Sequence, residues 1–236
     1  MTINKTKTMM VSPAVHIRRK VHFWSVTPRP GKHASDRSVA ILIVLRDYLR
    51  IGDKEREITR ILNSGSVKVD GKVVKDRRTS LGFMDLVSIS ENNSNHRILY
   101  DRKGRLIAVP DEEHKDSKLV KVTHKTSVGK GKFMITFHDG QNILVEDNSI
   151  RPNDVLVILN DGKKIDQILK LAKGSKVFMI GGSHVGETGT VKEIEVKASS
   201  QANLVTLEEG FSTTVNNVFV VGNSKYNFNV TAGSVS

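Results

Sequence analysis

Cysteine is absent from all 236 residues, which excludes disulfides, thiolate metal sites and cysteine nucleophiles and suits a reducing compartment. Aromatic residues make up 5% of the chain and hydrophobic residues 38%, so a core can form but must be mostly aliphatic. Long apolar runs are also lacking. The strongest, from Val39 to Leu45, falls far short of the roughly 20 residues that a membrane-spanning helix needs. Near the start, Met9-Met-Val is cut by Ser12-Pro13 before a secretory apolar core can develop. Pro13, Pro28, Pro30 and Gly31 likewise interrupt the amphipathic helix of a mitochondrial presequence. No membrane association is expected.

Acid is missing from one end. Met1 to Ser35 holds no Asp or Glu, yet carries Lys5, Lys7, Arg18, Arg19, Lys20, Arg29 and Lys32 with His16, His22 and His33. The whole chain has a formal charge of +12 and a pI of about 9.9, which favours nucleic acid as partner. The excess is uneven: residues 1–100 hold 19 Lys and Arg against 9 Asp and Glu, net +10, and residues 101–236 hold 18 against 16, net +2. The anionic partner is therefore expected to meet mainly the N-terminal part. Residues 1–35 are read as a basic arm, either disordered or laid against an anion. Phe23-Trp24 sits inside that arm and contains the chain's only Trp. It could stack on a base or anchor the arm to the folded part, and the sequence leaves both open.

The chain is organised around residues 53–76. Asp53 as N-cap, Glu55 and Glu57 in the first turn, Ile58, Ile61 and Leu62 at helical spacing and Gly65 as terminator predict a helix ending at Ser64. Val67, Val69 and Val73 then flank Asp70-Gly71, the pair suited to a type I′ turn, and predict a hairpin. The polar positions are mostly basic: Lys54, Arg56 and Arg60 on the helix, and Lys68, Lys72, Lys75, Arg77 and Arg78 on the hairpin and its exit. An earlier helix is expected from Ser35 or Asp36 to about Ile51, ending at Gly52. Arg46 and Arg50 emerge one turn apart near its end, as dipole partners or as part of the same basic face.

The order of this helix, Gly65-Ser-Val-Lys-Val-Asp-Gly-Lys-Val73 and the later Leu81-Gly-Phe-Met-Asp-Leu-Val-Ser-Ile89 resembles the RNA-binding domain shared by several ribosomal proteins and RNA-modifying enzymes. With its flanks, the chain is similar to ribosomal protein S4e of archaea and eukaryotes, in its archaeal type. Those flanks are the basic aromatic arm ending in Thr27-Pro-Arg-Pro-Gly-Lys-His33, a segment with His138-Asp-Gly140 and Asn153-Asp-Val155, and a glycine-rich loop between two strand-like runs. That loop, with Gly181, Gly182, Gly186 and Gly189, resembles the KOW motif of an SH3-like barrel. Its glycines would let backbone N–H groups approach a phosphate. Glu187 and His184 depart from the family pattern, which has a basic residue and often Asn there, so a weak hold on RNA is expected.

Beyond Arg97, short apolar runs separated by Arg102-Lys-Gly104, His138-Asp-Gly140 and Asn160-Asp-Gly162 predict small β barrels. Gly129-Lys-Gly-Lys132 invites a phosphate-loop reading but lacks the framing glycine and the following Ser or Thr; a basic hairpin turn is favoured. The run from Gly181 to Thr188 misses a nucleotide-binding loop because Glu187 replaces the required Lys. His138-Asp139 is read as a turn and not as an acid/base pair. Eight His residues without metal-ligand spacing give no metal site.

The fold expected is α+β, mostly β. Its parts are a basic arm (1–35), a helix-helix-hairpin RNA-binding domain (36–95), a central small β barrel (96–172), a KOW SH3-like barrel (173–223) and a flexible tail (224–236). The resemblance implies a structural, non-enzymatic component of the small ribosomal subunit. It would be cytoplasmic, would have small-subunit rRNA and neighbouring ribosomal proteins as partners, would take no cofactor or small-molecule substrate, and would be monomeric off the ribosome. The candidate RNA-binding residues are Trp24, His33 and the arm, helix and hairpin cations named above. An RNA-modifying enzyme with the same domain appended would need a paired acid/base set that nothing after Arg97 offers. A free transcription or translation factor using the KOW barrel is the third reading.

Overall fold

The strand Lys5–Lys7 (β1) pairs antiparallel with Trp24–Val26 (β2), so the acid-free arm folds back on itself. The computed structural model describes residues 5–129, 131–160, 164–198, 200–223 and 226–228. It is mostly β with few helices and divides into two units: Met1–Asp101 with Arg105–Lys118, and Arg102–Gly104 with Leu119–Ser236.

In the first unit the arm is part of the packing. Ala14 and Val15 are buried, Val15 bridges to Leu106, and the His16 N–H donates to the Tyr48 hydroxyl at 2.9 Å. The first helix starts later than its sequence signals predict. Ser35–Arg37 is a single 3-10 turn, Val39–Ala40 (β3) pairs with Ser80–Leu81 (β6), and only then does Ile41–Ile43 (α1) begin, running on as a π turn over Val44–Tyr48. Cross-strand pairing at Val39 outweighs the local Ser/Asp start signal.

The second helix, Glu55–Ser64 (α2), meets its expected end at Gly65, whose φ is +81°. Its N-cap is Lys54; the Glu57 carboxylate accepts from the N–H groups of Asp53 and Lys54 at 3.0 and 3.1 Å, which supplies the missing cap from within the first turn. Ile58 and Leu62 are fully buried, each contributing about 2 kcal/mol. The hairpin follows as Val67–Val69 (β4) and Lys72–Val73 (β5) around Asp70 (φ +48°) and Gly71 (φ +77°), the two positive angles of a type I′ turn. With Leu86–Ile89 (β7), Ser94–Tyr100 (β8) and Leu106–Pro110 (β9) it forms a five-stranded antiparallel sheet in the order β5-β4-β7-β8-β9.

The second unit contains two sheets. The first, in the order β12-β11-β10-β13-β14, is built from Ser117–Gly129 (β10, whose first two residues belong to the other unit), Lys132–Phe137 (β11), Asn142–Val145 (β12), Val155–Leu159 (β13) and Ile165–Leu169 (β14). Val120, Val122, Ile135, Phe137, Ile150 and Leu156 are its core. Strand β10 is longer than the short run legible at Leu119 to Val122, because its polar second half continues the ladder to β11 as far as Gly129 opposite Lys132. His138-Asp-Gly140 is a turn, with the buried Asp139 accepting from the Gln141 backbone and side chain.

The second sheet runs β18-β17-β16-β15-β19-β20, from Lys176–Met179 (β15), Thr188–Glu195 (β16), Leu204–Leu207 (β17), Ser212–Thr214 (β18), Val218–Asn223 (β19) and Tyr226–Asn227 (β20). Most of the expected flexible tail lies outside the described residues. The described part is ordered: β20 pairs with β19 and Phe228 is buried, an apolar anchor that the polar composition of the tail hides.

Candidate nucleic-acid interface

The sequence-predicted cations fall into two groups, separated by whether an acid or carbonyl inside the fold already holds them. Lys32 and His33 turn inward. The Lys32 ammonium lies 2.5 Å from Asp70 Oδ2, and His33 Nε2 lies 2.9 Å from Asp85 Oδ2 with its ring 5% exposed. Lys118 joins both acids, at 2.8 Å from Asp70 Oδ2 and 2.5 Å from Asp85 Oδ1. Asp85 also accepts from the Gly82 N–H, and Asp70 from the Leu86 N–H. Burial alone would raise the Asp85 pKa, but Lys118 and then His33 outweigh it and hold the carboxyl well below the usual carboxylate range.

The network explains Leu81-Gly-Phe-Met-Asp85. Leu81 is core, Phe83 stacks on Tyr100, and a Cβ at position 82 would fall inside the His33 ring. Only glycine lets that imidazole lie against the backbone.

Other expected contacts are also internal. Arg19 donates to the carbonyls of Met9, Val11 and Ser12, Arg46 pairs with its neighbour Asp47, Arg77 pairs with Glu55, and Arg78 Nε donates to Thr27 O. Arg29 meets Asp76 at 3.1 Å in an exposed pair, which adds little stability.

The second group faces solvent. Lys5, Lys7, Arg18, Lys20, Arg50, Lys54, Arg56, Arg60, Lys68, Lys72 and Lys75 are exposed, and none of them has an ion pair among the described residues. Arg56 and Arg60 lie one turn apart on the outer side of α2, opposite the buried Ile58 and Leu62. Lys68 is cross-strand to Val73 on the open face of the hairpin. Trp24 is 53% exposed and meets Phe23 edge to face at 5.0 Å.

The glycine-rich loop between β15 and β16 is shaped by its own side chains. Gly181 and Gly182 lie against Asn217, and Gly189 lies against the Glu209 carboxylate, which accepts from the Thr190 N–H at 3.0 Å. Gly186 donates its N–H to Met179 O. His184 stacks on Phe211 and lies 3.0 Å from Glu187. The close approach that sequence reasoning assigned to phosphate is thus used in part by Asn217 and Glu209.

Sequence reasoning missed Asp70, Asp85 and Lys118 as one buried set. It also left Phe23, Met9, Met10 and Val21, all more than half exposed, outside the candidate site. The signal for the second omission was present, since all four fall within the acid-free stretch. Among the described residues no group of three or more His, Asp or Glu could hold a metal, and no helix is long and apolar enough to cross a membrane.

A basic, mostly β chain whose exposed cations have no ion pair among the described residues has the surface character of a nucleic-acid-binding protein. Residues 92–165 match the model of the ribosomal family S4e. The chain is 47% identical over 234 residues to the small ribosomal subunit protein eS4 of Thermoplasma volcanium, covering 99% of each, and 48% identical over 229 residues to that of Picrophilus torridus, covering 97% of each. It is similar to the crystal structure of the 30S ribosomal protein S4e from Thermoplasma acidophilum, with a TM-score of 0.74 and 40% identity over 82% of this chain and 100% of that one. The chain belongs to the S4e family of ribosomal proteins, in its archaeal type, and is not an enzyme.

Proposed function

We propose that this chain is a structural constituent of the small ribosomal subunit that binds rRNA through its arm and its helix-hairpin surface. The observation that carries the reading is the sorting of cations: those on the outer side of α2 and on the hairpin have no ion pair among the described residues, whereas the inward ones are held by an acid or a carbonyl of the fold. Uncompensated charge on a rigid surface is stabilised by phosphates, with recognition of shape more than sequence. The near full-length likeness to proteins named small ribosomal subunit protein eS4 supports the same assignment.

In this reading residues 1–35 act as the arm and 36–95 as the helix-helix-hairpin RNA-binding domain. Residues 96–172 and 173–223 are two small barrels, the second SH3-like with the KOW loop, that pack against further rRNA or neighbouring proteins, and 224–236 is the tail. The protein is cytoplasmic, ribosome-bound and monomeric when free. Lys32, His33, Arg19, Arg77 and Arg78 serve the fold first. Sucrose-gradient fractionation at moderate and high salt, with mass-spectrometric detection, tests the assignment: stoichiometric cosedimentation with small subunits is the expected result, and recovery chiefly in the soluble fraction would overturn it.

A further inference from the structure

We infer that the tip of the arm receives an unpaired RNA base on Trp24, so that this part of the chain contacts a single-stranded or bulged nucleotide and not a continuous duplex. The inference rests on the rRNA-binding reading and deepens it. Burying apolar surface is what an anchor does, and Trp24 does little of it: the residue is 53% exposed, Phe23 is 65% exposed, and Met9 and Met10 are 63% and 76% exposed. The alternative left open by the sequence, that the aromatic pair fixes the arm to the body of the protein, is therefore not its main use. Ala14, Val15 and the His16–Tyr48 bond perform that anchoring instead.

The partner is argued from charge. Lys7 is the cross-strand partner of Trp24, with its ammonium 5.6 Å from the centre of the Phe23 ring. Lys5, Arg18 and Lys20 are exposed on the same acid-free arm. An apolar protein groove would gain nothing from these cations, while a nucleotide supplies both a π face for the indole and a phosphate for the Lys7 ammonium beside it. Bases inside an A-form duplex are stacked on each other and present only their edges, so the base that reaches Trp24 is an unpaired one.

Because Trp24 is the chain's only Trp, fluorescence of the full-length protein excited at the red edge, where its tyrosines do not absorb, reports on this side chain. Titration with a ten-nucleotide single-stranded RNA should quench it, and a blunt ten-base-pair RNA duplex or inorganic polyphosphate, bound at matched salt, should leave it nearly unchanged. Filter binding should show Trp24→Ala losing about 10-fold in affinity for the single strand with an unchanged salt slope, and Trp24→Phe losing less. Equal quenching by duplex or polyphosphate, or full affinity in Trp24→Ala, would overturn the inference and favour a protein partner at the patch. RNA that binds by filter assay without quenching sinks this inference alone; no RNA binding in either assay sinks the rRNA reading itself.

Discussion

His33 Nε2 lies 2.9 Å from Asp85 Oδ2 although 52 residues separate them in the chain, and the carboxylate they share with Lys118 is completely buried. The arm is thereby joined to the loop before β7 by a buried hydrogen bond to a carboxylate that Lys118 also meets. Removing one partner of such a set leaves charge uncompensated, at a cost of about 3–5 kcal/mol. Asp85→Asn should lower stability by that order, measured by urea denaturation, and should raise proteolysis of residues 1–35.

The same group fixes an acid dependence. The Asp85 pKa is held below its unfolded value, so its stabilising effect is complete above the unfolded carboxylate pKa of about 4 and is lost as pH falls from there toward the folded value. Melting temperatures measured between pH 6 and pH 3 should drop for the wild-type chain below about pH 4, and Asp85→Asn should flatten that drop. An equally steep fall in the variant would assign the acid sensitivity to other carboxylates, such as Asp111 beside Arg97.

Gly82→Ala places a methyl group where the His33 ring lies. The ring or the loop must shift, with an expected loss of about 1–3 kcal/mol. Hydrogen exchange should show faster opening at residues 29–34 if the ring is what moves, and unchanged protection there would put the strain elsewhere.

Arg56 and Arg60 differ from Arg19. The first two are exposed and make no ion pair among the described residues, whereas Arg19 satisfies three carbonyls. Arg56→Ala with Arg60→Ala should leave the melting temperature unchanged within about 2 °C and reduce the slope of log affinity against log salt by about 2. Arg19→Ala should destabilise the arm instead. An unchanged slope in the double variant would remove α2 from the RNA surface.

Lys121, in the second unit, gives a pH trend of the same sign in a separate, alkaline window. Its ammonium is buried and donates to the carbonyls of Val215, Asn216 and Val218 at 2.9, 3.1 and 2.7 Å, and burial pushes its pKa down to about 8. The unfolded chain then binds more protons between pH 8 and the ordinary lysine value near 10.4, so this group adds stability as pH rises through that window, by at most about 3 kcal/mol. The three carbonyls favour the ammonium and reduce the gain. Denaturation of Lys121→Met over the same range should show the rise abolished, along with a loss of stability from the hydrogen bonds to the three carbonyls.

Features set by neighbours in sequence were readable: the end of α2 at Gly65, and the turn at Asp70-Gly71, where both φ angles are positive. Features set by distant pairing were not. Val39 reads as part of a helix begun at Ser35 or Asp36 until Leu81 is known to lie opposite it. Lys32 and His33 read as members of a basic patch until Asp70 and Asp85, far along the chain, are seen to take them. A cation's role depends on its counter-ion, and nothing in local composition tells a solvated lysine from one committed to a buried acid.

Lys118 stands at the last position of the first unit and completes the cluster that Lys32 and His33 enter from its beginning. During synthesis, a nascent chain that has not yet exposed Lys118 outside the exit tunnel carries Asp70 and Asp85 without the cation that bridges them. The two buried acids therefore gain the bridge between them only when the unit's final residue emerges. Release-stalled chains ending before and after that residue would differ abruptly in protease resistance.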